Sequence, residues 1–65
     1  MPTIRVTLFA GRTVEQKRQF AESITRAAVA DLGSTPDSVD VIFEDIEKHD
    51  WATGGRLWSD PKPAP

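Results

Sequence analysis

The sequence has no cysteine. Disulfides, thiolate metal sites and thiol nucleophiles are therefore excluded. It has one histidine, His49, and a single imidazole cannot build a zinc site without help from carboxylates. Excess positive charge is lacking too: eight Lys and Arg stand against ten Asp and Glu, a formal net charge of −2. A general nucleic-acid binder would carry a basic patch or excess, so no nucleic-acid partner is expected. No apolar run approaches the roughly 20 residues of a membrane span. No basic segment followed by an apolar stretch opens the chain. A cytoplasmic protein with no membrane partner is the expectation. Gly54-Gly55 lacks the strand–helix setting of a phosphate loop. The serines have no nucleophile-elbow context for a hydrolase triad.

What is present fits one small domain. Sixty-five residues, 38% hydrophobic and 28% charged, match an ordinary soluble chain. At this length a lone core is marginal without disulfides, metal or oligomerisation. With the first two disfavoured, self-association is expected to complete the core.

Ile4, Val6 and Leu8 alternate with Thr3, Arg5 and Thr7, the period of a strand with one buried face. Thr13 and Gln16 have capping-box spacing. Val14, Ala21, Ile24, Ala28 and Leu32 then fall on one helical stripe, flanked by Phe20 and Ala27. Gly33 follows as a stop, so a helix is predicted over 14–32. Glu22 and Arg26 are spaced for an i,i+4 pair. Thr35 is placed to cap one short turn, with Pro36 at its first position. A second strand is predicted over 39–46, with Val39, Val41 and Phe43 on one face and Ile42 and Ile46 on the other. Apolar groups on both faces imply cover on both sides. Lys48 to Ala52 reads as a loop, Thr53 to Arg56 as a turn, and Leu57-Trp58 as a short returning strand. Residues 1–58 form the domain; Pro61, Pro63 and Pro65 mark 59–65 as an extended Pro-rich tail. Two strands joined by one helix give a parallel βαβ unit of an α+β fold. Its sheet is too small to bury both faces, and its edges call for other copies of the chain.

Pro2 stands out. If Met1 is removed, Pro2 becomes a secondary amine at the start of a strand. An α-amino group titrates near pH 7.7–8.0 in model peptides, and an apolar pocket or nearby cations lower that further. Such a base suits proton abstraction beside a carbonyl. A proline here equally suits a strand edge, where its missing N–H costs nothing.

The start Met-Pro-Thr-Ile, Gly11-Arg12-Thr13 followed by Glu15-Gln16-Lys17, Val41-Ile42, and a late aromatic before Gly54-Gly55 together resemble the 4-oxalocrotonate tautomerase family over residues 2 to 58. The resemblance implies a β-α-β chain with a short C-terminal hairpin, dimerising into a four-stranded sheet, with three dimers in a hexamer. It implies an isomerase, a cofactor-free and metal-free tautomerase of aromatic catabolism acting on a small carboxylate substrate. Processed Pro2 would move a proton on an enol or unsaturated 2-keto acid. Arg12 matches the arginine that binds a substrate carboxylate, a role suited to the guanidinium fork. Trp51 matches the active-site aromatic, with ordinary packing as the alternative. One departure is evident. Asp40 stands where the family has a second arginine, and an ionised carboxylate would repel an anionic substrate and raise the amine's pKa.

Arg56, Lys48 or Arg5 can supply the missing cation, with Arg56 favoured because it follows the Gly-Gly turn close to Trp51. Alternatively the substrate has one carboxylate, or Asp40 itself assists hydratase-, dehalogenase- or decarboxylase-like chemistry. Phe9 and Thr53 stand where dehalogenase relatives would have Arg and Glu, which weakens that branch. A non-catalytic acid-binding or assembly protein of the same fold is the competing expectation. His49, beside Trp51, is a candidate modulator, although a loop histidine is more often solvated. The acidic run Glu44, Asp45 and Glu47 reads as a solvated or intersubunit cluster without metal-ligand spacing. Pro2 and Arg12 lie near opposite ends of one strand, about 20 Å apart, so active sites are expected between subunits.

Overall fold

The computed structural model describes residues 2–62. Met1, Pro63 and Pro65, which entered the reading of the two termini, lie outside the described residues. In chain order the structure runs β1 (Thr3–Phe9), α1 (Val14–Leu32), a 3-10 turn (Pro36–Ser38), β2 (Asp40–Ile46), a second 3-10 turn (Lys48–Asp50), β3 (Ala52–Thr53) and β4 (Arg56–Leu57).

Strands β1 and β2 pair in parallel, from Thr3 opposite Asp40 to Phe9 opposite Ile46. Residues opposite each other in this register share a face. Ile4 and Val6 therefore lie beside Val41 and Phe43, and Phe20 from the helix meets the Phe43 ring with centroids 6.2 Å apart. Thr3, Arg5, Thr7 and Phe9 share the other face with Asp40, Ile42, Glu44 and Ile46. This is the two-sided apolar pattern expected for β2, which begins at Asp40 rather than Val39. The amide of Val39 instead closes the preceding turn onto the Pro36 carbonyl.

The helix has the limits its periodicity predicts. The Thr13 hydroxyl accepts from the Gln16 amide at 3.0 Å. Gln16 Oε1 accepts from the Thr13 amide at 2.9 Å. This reciprocal box satisfies two donors that a helix start leaves open. Gly33 ends the helix in the left-handed conformation. Other local expectations need correction. Thr35 makes no side-chain cap; instead Ser38 Oγ donates to the Thr35 carbonyl. Glu22 and Arg26 do not pair. Arg26 donates to Ser23 Oγ, and the ion pair within the helix joins Arg18 to Glu15. The predicted loop contains the 3-10 turn at Lys48–Asp50, and Ala52 belongs to β3.

Strands β3 and β4 form a minimal antiparallel hairpin in which Thr53 faces Arg56 and Ala52 faces Leu57. Gly54 and Gly55 have φ of 61° and 80°. A two-residue connection whose central residues are both left-handed favours glycine at each. The returning strand is Arg56–Leu57 rather than Leu57–Trp58.

The single chain leaves its core unfinished. Ala28 is the one buried hydrophobic residue among those described, and Val14 and Leu32 at the two ends of the helical stripe are 70% and 69% exposed. Phe20, Ile42, Leu57 and Trp58 are exposed as well. The radius of gyration is 15.9 Å, against about 11 Å for a compact chain of this length. The accessible surface of 5181 Å² likewise exceeds the ~4100 Å² of a compact monomer of this mass.

The denaturation midpoint is expected to rise with protein concentration. A concentration series followed by circular dichroism checks it, and a concentration-independent midpoint would contradict it. Thr13→Ala should lower stability by about 1 kcal/mol, read from the shift in urea midpoint at fixed concentration.

Candidate active site

Parallel pairing places the candidate residues at two separate ends of the chain. At one end, Pro2 is half-buried just before β1. Its carbonyl accepts from the Asp40 amide at 3.0 Å, which extends the ladder by one bond and fixes the backbone at Pro2. The Asp40 side chain belongs to the same sheet face as Thr3 and Arg5 and is in no ion pair among the described residues.

Arg12 lies past the far end of β1. Gly11, with φ of 119°, turns the chain there with a backbone conformation that L side chains rarely adopt. The turn delivers Arg12 to the rim of a groove of about 280 Å³ between sheet and helix, shared with Leu8, Gln16, Lys17, Phe20 and Phe43. Lys17 Nζ is 2.7 Å from Asp45 Oδ2. That contact takes up the nearby carboxylate, and Arg12 enters no ion pair among the described residues. The acidic run is thus partly accounted for: Asp45 pairs with Lys17, and Glu44 accepts from Thr7 Oγ1 across the ladder at 3.4 Å.

Trp51 sits at the same end as Arg12. Its ring is tilted against Phe9 with centroids 4.5 Å apart. Trp58 packs on Phe9 as well, at 5.3 Å, so one phenyl ring carries two indoles. The Trp58 amide donates to the Trp51 carbonyl at 2.9 Å, and its indole N–H donates to Thr53 Oγ1 at 2.8 Å. The sequence reading did not single out Trp58, which packs beside the candidate residue Trp51 on Phe9. A usable signal existed: once the Gly-Gly turn fixes the hairpin register, Trp51 and Trp58 are the next pair beyond Ala52 and Leu57.

Arg56 stands on the hairpin opposite Thr53. It lines an opening of about 380 Å³ with Trp58, Asp60 and Lys62, and Trp51 is not among the lining residues. Its Nη2 donates to the Pro61 carbonyl at 3.5 Å. His49 is exposed, with Nε2 3.5 Å from Asp50 Oδ2. The structure therefore groups Pro2 with Asp40 at one end, and Arg12 and Trp51 at the other. Within one chain the seven residues of β1 separate these groups by about 20 Å.

Comparison with known proteins agrees with this architecture. Residues 2–60 match the family model described as tautomerase enzyme. The chain is 40% identical over 65 residues to a probable tautomerase of Ralstonia nicotianae, covering all of both chains. It is 35% identical over 60 residues to 2-hydroxymuconate tautomerase of Bacillus subtilis, covering 92% of this chain and 97% of that protein. Among solved structures it resembles YwhB, a homologue of 4-oxalocrotonate tautomerase, with a TM-score of 0.88 and 33% identity over 94% of this chain and all of that one. It also resembles TomN, a 4-oxalocrotonate tautomerase homologue of the tomaymycin biosynthetic pathway, with a TM-score of 0.85, 38% identity and 89% of each chain covered. A β-α-β chain ending in a short hairpin is the shared fold. The chain belongs to the tautomerase family, in its 4-oxalocrotonate tautomerase group, and is an isomerase.

Lys17 and Asp45 are both partly exposed, so their coupling is expected to be modest, up to about 1 kcal/mol and weaker in high salt. A double-mutant cycle with Lys17→Met and Asp45→Asn checks this. A coupling unchanged by salt would contradict the assignment.

Proposed function

We propose that the chain is a cofactor-free tautomerase of an enol or unsaturated 2-keto acid, with Pro2 as the proton carrier once Met1 is removed. The free amine takes the proton of the enol hydroxyl. Charge spreads along the conjugated chain as the oxygen becomes a keto carbonyl. The ammonium then returns the proton to carbon, so no atom is gained or lost. Arg12 holds a carboxylate through its guanidinium fork, and Trp51 supplies an apolar wall that disfavours the ammonium form of the amine.

The observation that carries this reading is the placement of Pro2 in a chain of this family. It is half-buried, and its carbonyl is tied to the neighbouring strand, so its nitrogen is held at one point of the sheet edge. Arg12 and Trp51 must then come from neighbouring subunits, because β1 separates them from Pro2 of their own chain. The exposed apolar residues of the stripe and sheet support such an assembly. A dimer with a four-stranded sheet, repeated three times in a hexamer, is the arrangement we favour.

Asp40 sets the substrate class. With a carboxylate in place of a second cation at the Pro2 end, a substrate carrying one carboxylate is favoured over a diacid. Arg56, in contact with no carboxylate among the described residues, is the candidate to offset Asp40 from another subunit. A second reading has the same origin. Asp40 is docked on Pro2 through its amide, and its carboxylate can orient a water for hydratase- or decarboxylase-like chemistry.

Ultraviolet-monitored ketonisation of phenylenolpyruvate and 2-hydroxymuconate, on protein whose Met1 loss is checked by mass, tests the proposal. Pro2→Ala should lower kcat about 10²- to 10⁴-fold, and Arg12→Ala should act mainly through KM. Asp40→Asn should leave ketonisation intact; a hydratase or decarboxylase activity that this variant loses while keeping ketonisation would favour the water-activating reading. Full activity of Pro2→Ala would overturn the proton-carrier role.

A further inference from the structure

Trp58 is a large ring held firmly and left half open. Its amide is bonded to the Trp51 carbonyl, its indole N–H to Thr53 Oγ1, and its ring packs on Phe9, yet it is 50% exposed. The indole bond and the packing on Phe9 fix its plane, and solvent has access to what remains. The open surface lines the 380 Å³ opening together with Arg56, Leu57, Asp60 and Lys62. That volume falls within the range of small-molecule sites, which combine apolar walls with a few polar groups. Two cations against one carboxylate give the opening a positive balance, and none of the three enters an ion pair among the described residues.

We propose that Trp58 is a specificity-determining residue, stacking on an aromatic ring at the end of the substrate remote from the transferred proton. Trp51 and Trp58 share Phe9 as a neighbour. That common contact places Trp58 beside the wall proposed for the substrate, and Arg56 and Lys62 attract an acid towards the opening that Trp58 lines. Offset or tilted stacking on a fixed indole favours an aryl group over a short aliphatic one. This inference rests on the reading above that Trp51 lines the site.

The test compares two monoacid enols, phenylenolpyruvate and the aliphatic 2-hydroxy-2,4-pentadienoate. Trp58→Ala should raise KM about five- to ten-fold for the aryl enol only, and Trp58→Phe should restore it. Equal losses on both substrates, or no loss on either, would overturn the proposal. Binding is read independently in Trp51→Phe, where Trp58 is the one remaining tryptophan. Saturable quenching of its fluorescence by 3-phenylpropionate is expected. Absence of quenching, as when a neighbouring subunit covers the ring, would overturn the proposal even if Trp58→Ala fails to fold. Pro2→Ala separates the two claims. If it keeps its turnover, the proton-carrier reading fails whatever Trp58 does; if it loses turnover but binds 3-phenylpropionate, the Trp58 result stands alone.

Discussion

The parallel pairing of β1 with β2 is the constraint from which the other features follow. A parallel pair requires a crossover, and here one 19-residue helix supplies it. One helix can cover one face of two strands. On the opposite face the chain covers the Phe9 end with Trp51 and Trp58, while Ile42 stays exposed and the outer edges of both strands pair with no other strand among the described residues. The crossover also returns β2 in step with β1, which brings the Asp40 amide onto the Pro2 carbonyl. The incomplete core and the fixed backbone of Pro2 thus have one cause.

The hairpin serves the other end of the molecule. Strands of two residues cannot be stable alone. This pair is held by the aromatic contacts to Phe9 and by the indole bond to Thr53. Burial and hydrogen bonding act here on the same side chains. Trp58 gives an N–H to a partner while its ring packs, as amphipathic aromatics commonly do.

Much of this architecture was legible from local pattern. The alternation in β1, the Thr13–Gln16 box, the Gly33 stop and the Gly54-Gly55 turn each depend on residues close in sequence, and each gave an element where expected. The 3-10 turn at Lys48–Asp50 carries a weaker cue, since Asp50 is its one turn-forming residue and no Gly or Pro accompanies it. The Glu22–Arg26 spacing was permissive only; on an exposed helix face a pair worth a few tenths of a kcal/mol yields readily to a closer hydroxyl. Phe9 with Trp51 and Trp58 was hidden for another reason. Residues more than forty positions apart meet only after the sheet register and the hairpin register are both set. The candidate site residues were nominated by resemblance, and the fold separates Pro2 from Arg12 of the same chain by the length of β1.

The matched lengths of β1 and β2, seven residues each in unbroken register, bear on how such a chain can evolve. Inserting one residue into either strand would exchange its two faces. Arg5, Thr7 and Phe9 would then turn toward the helix, and Ile4, Val6 and Leu8 away from it. Every position past the insertion would be compromised at once. Substitution carries no such penalty. Divergence by replacement at constant length is the route left open, and 40% identity across 65 residues covering the whole of both chains has that character. A change of charge at one position of the sheet is tolerated by this architecture far more readily than a single added residue.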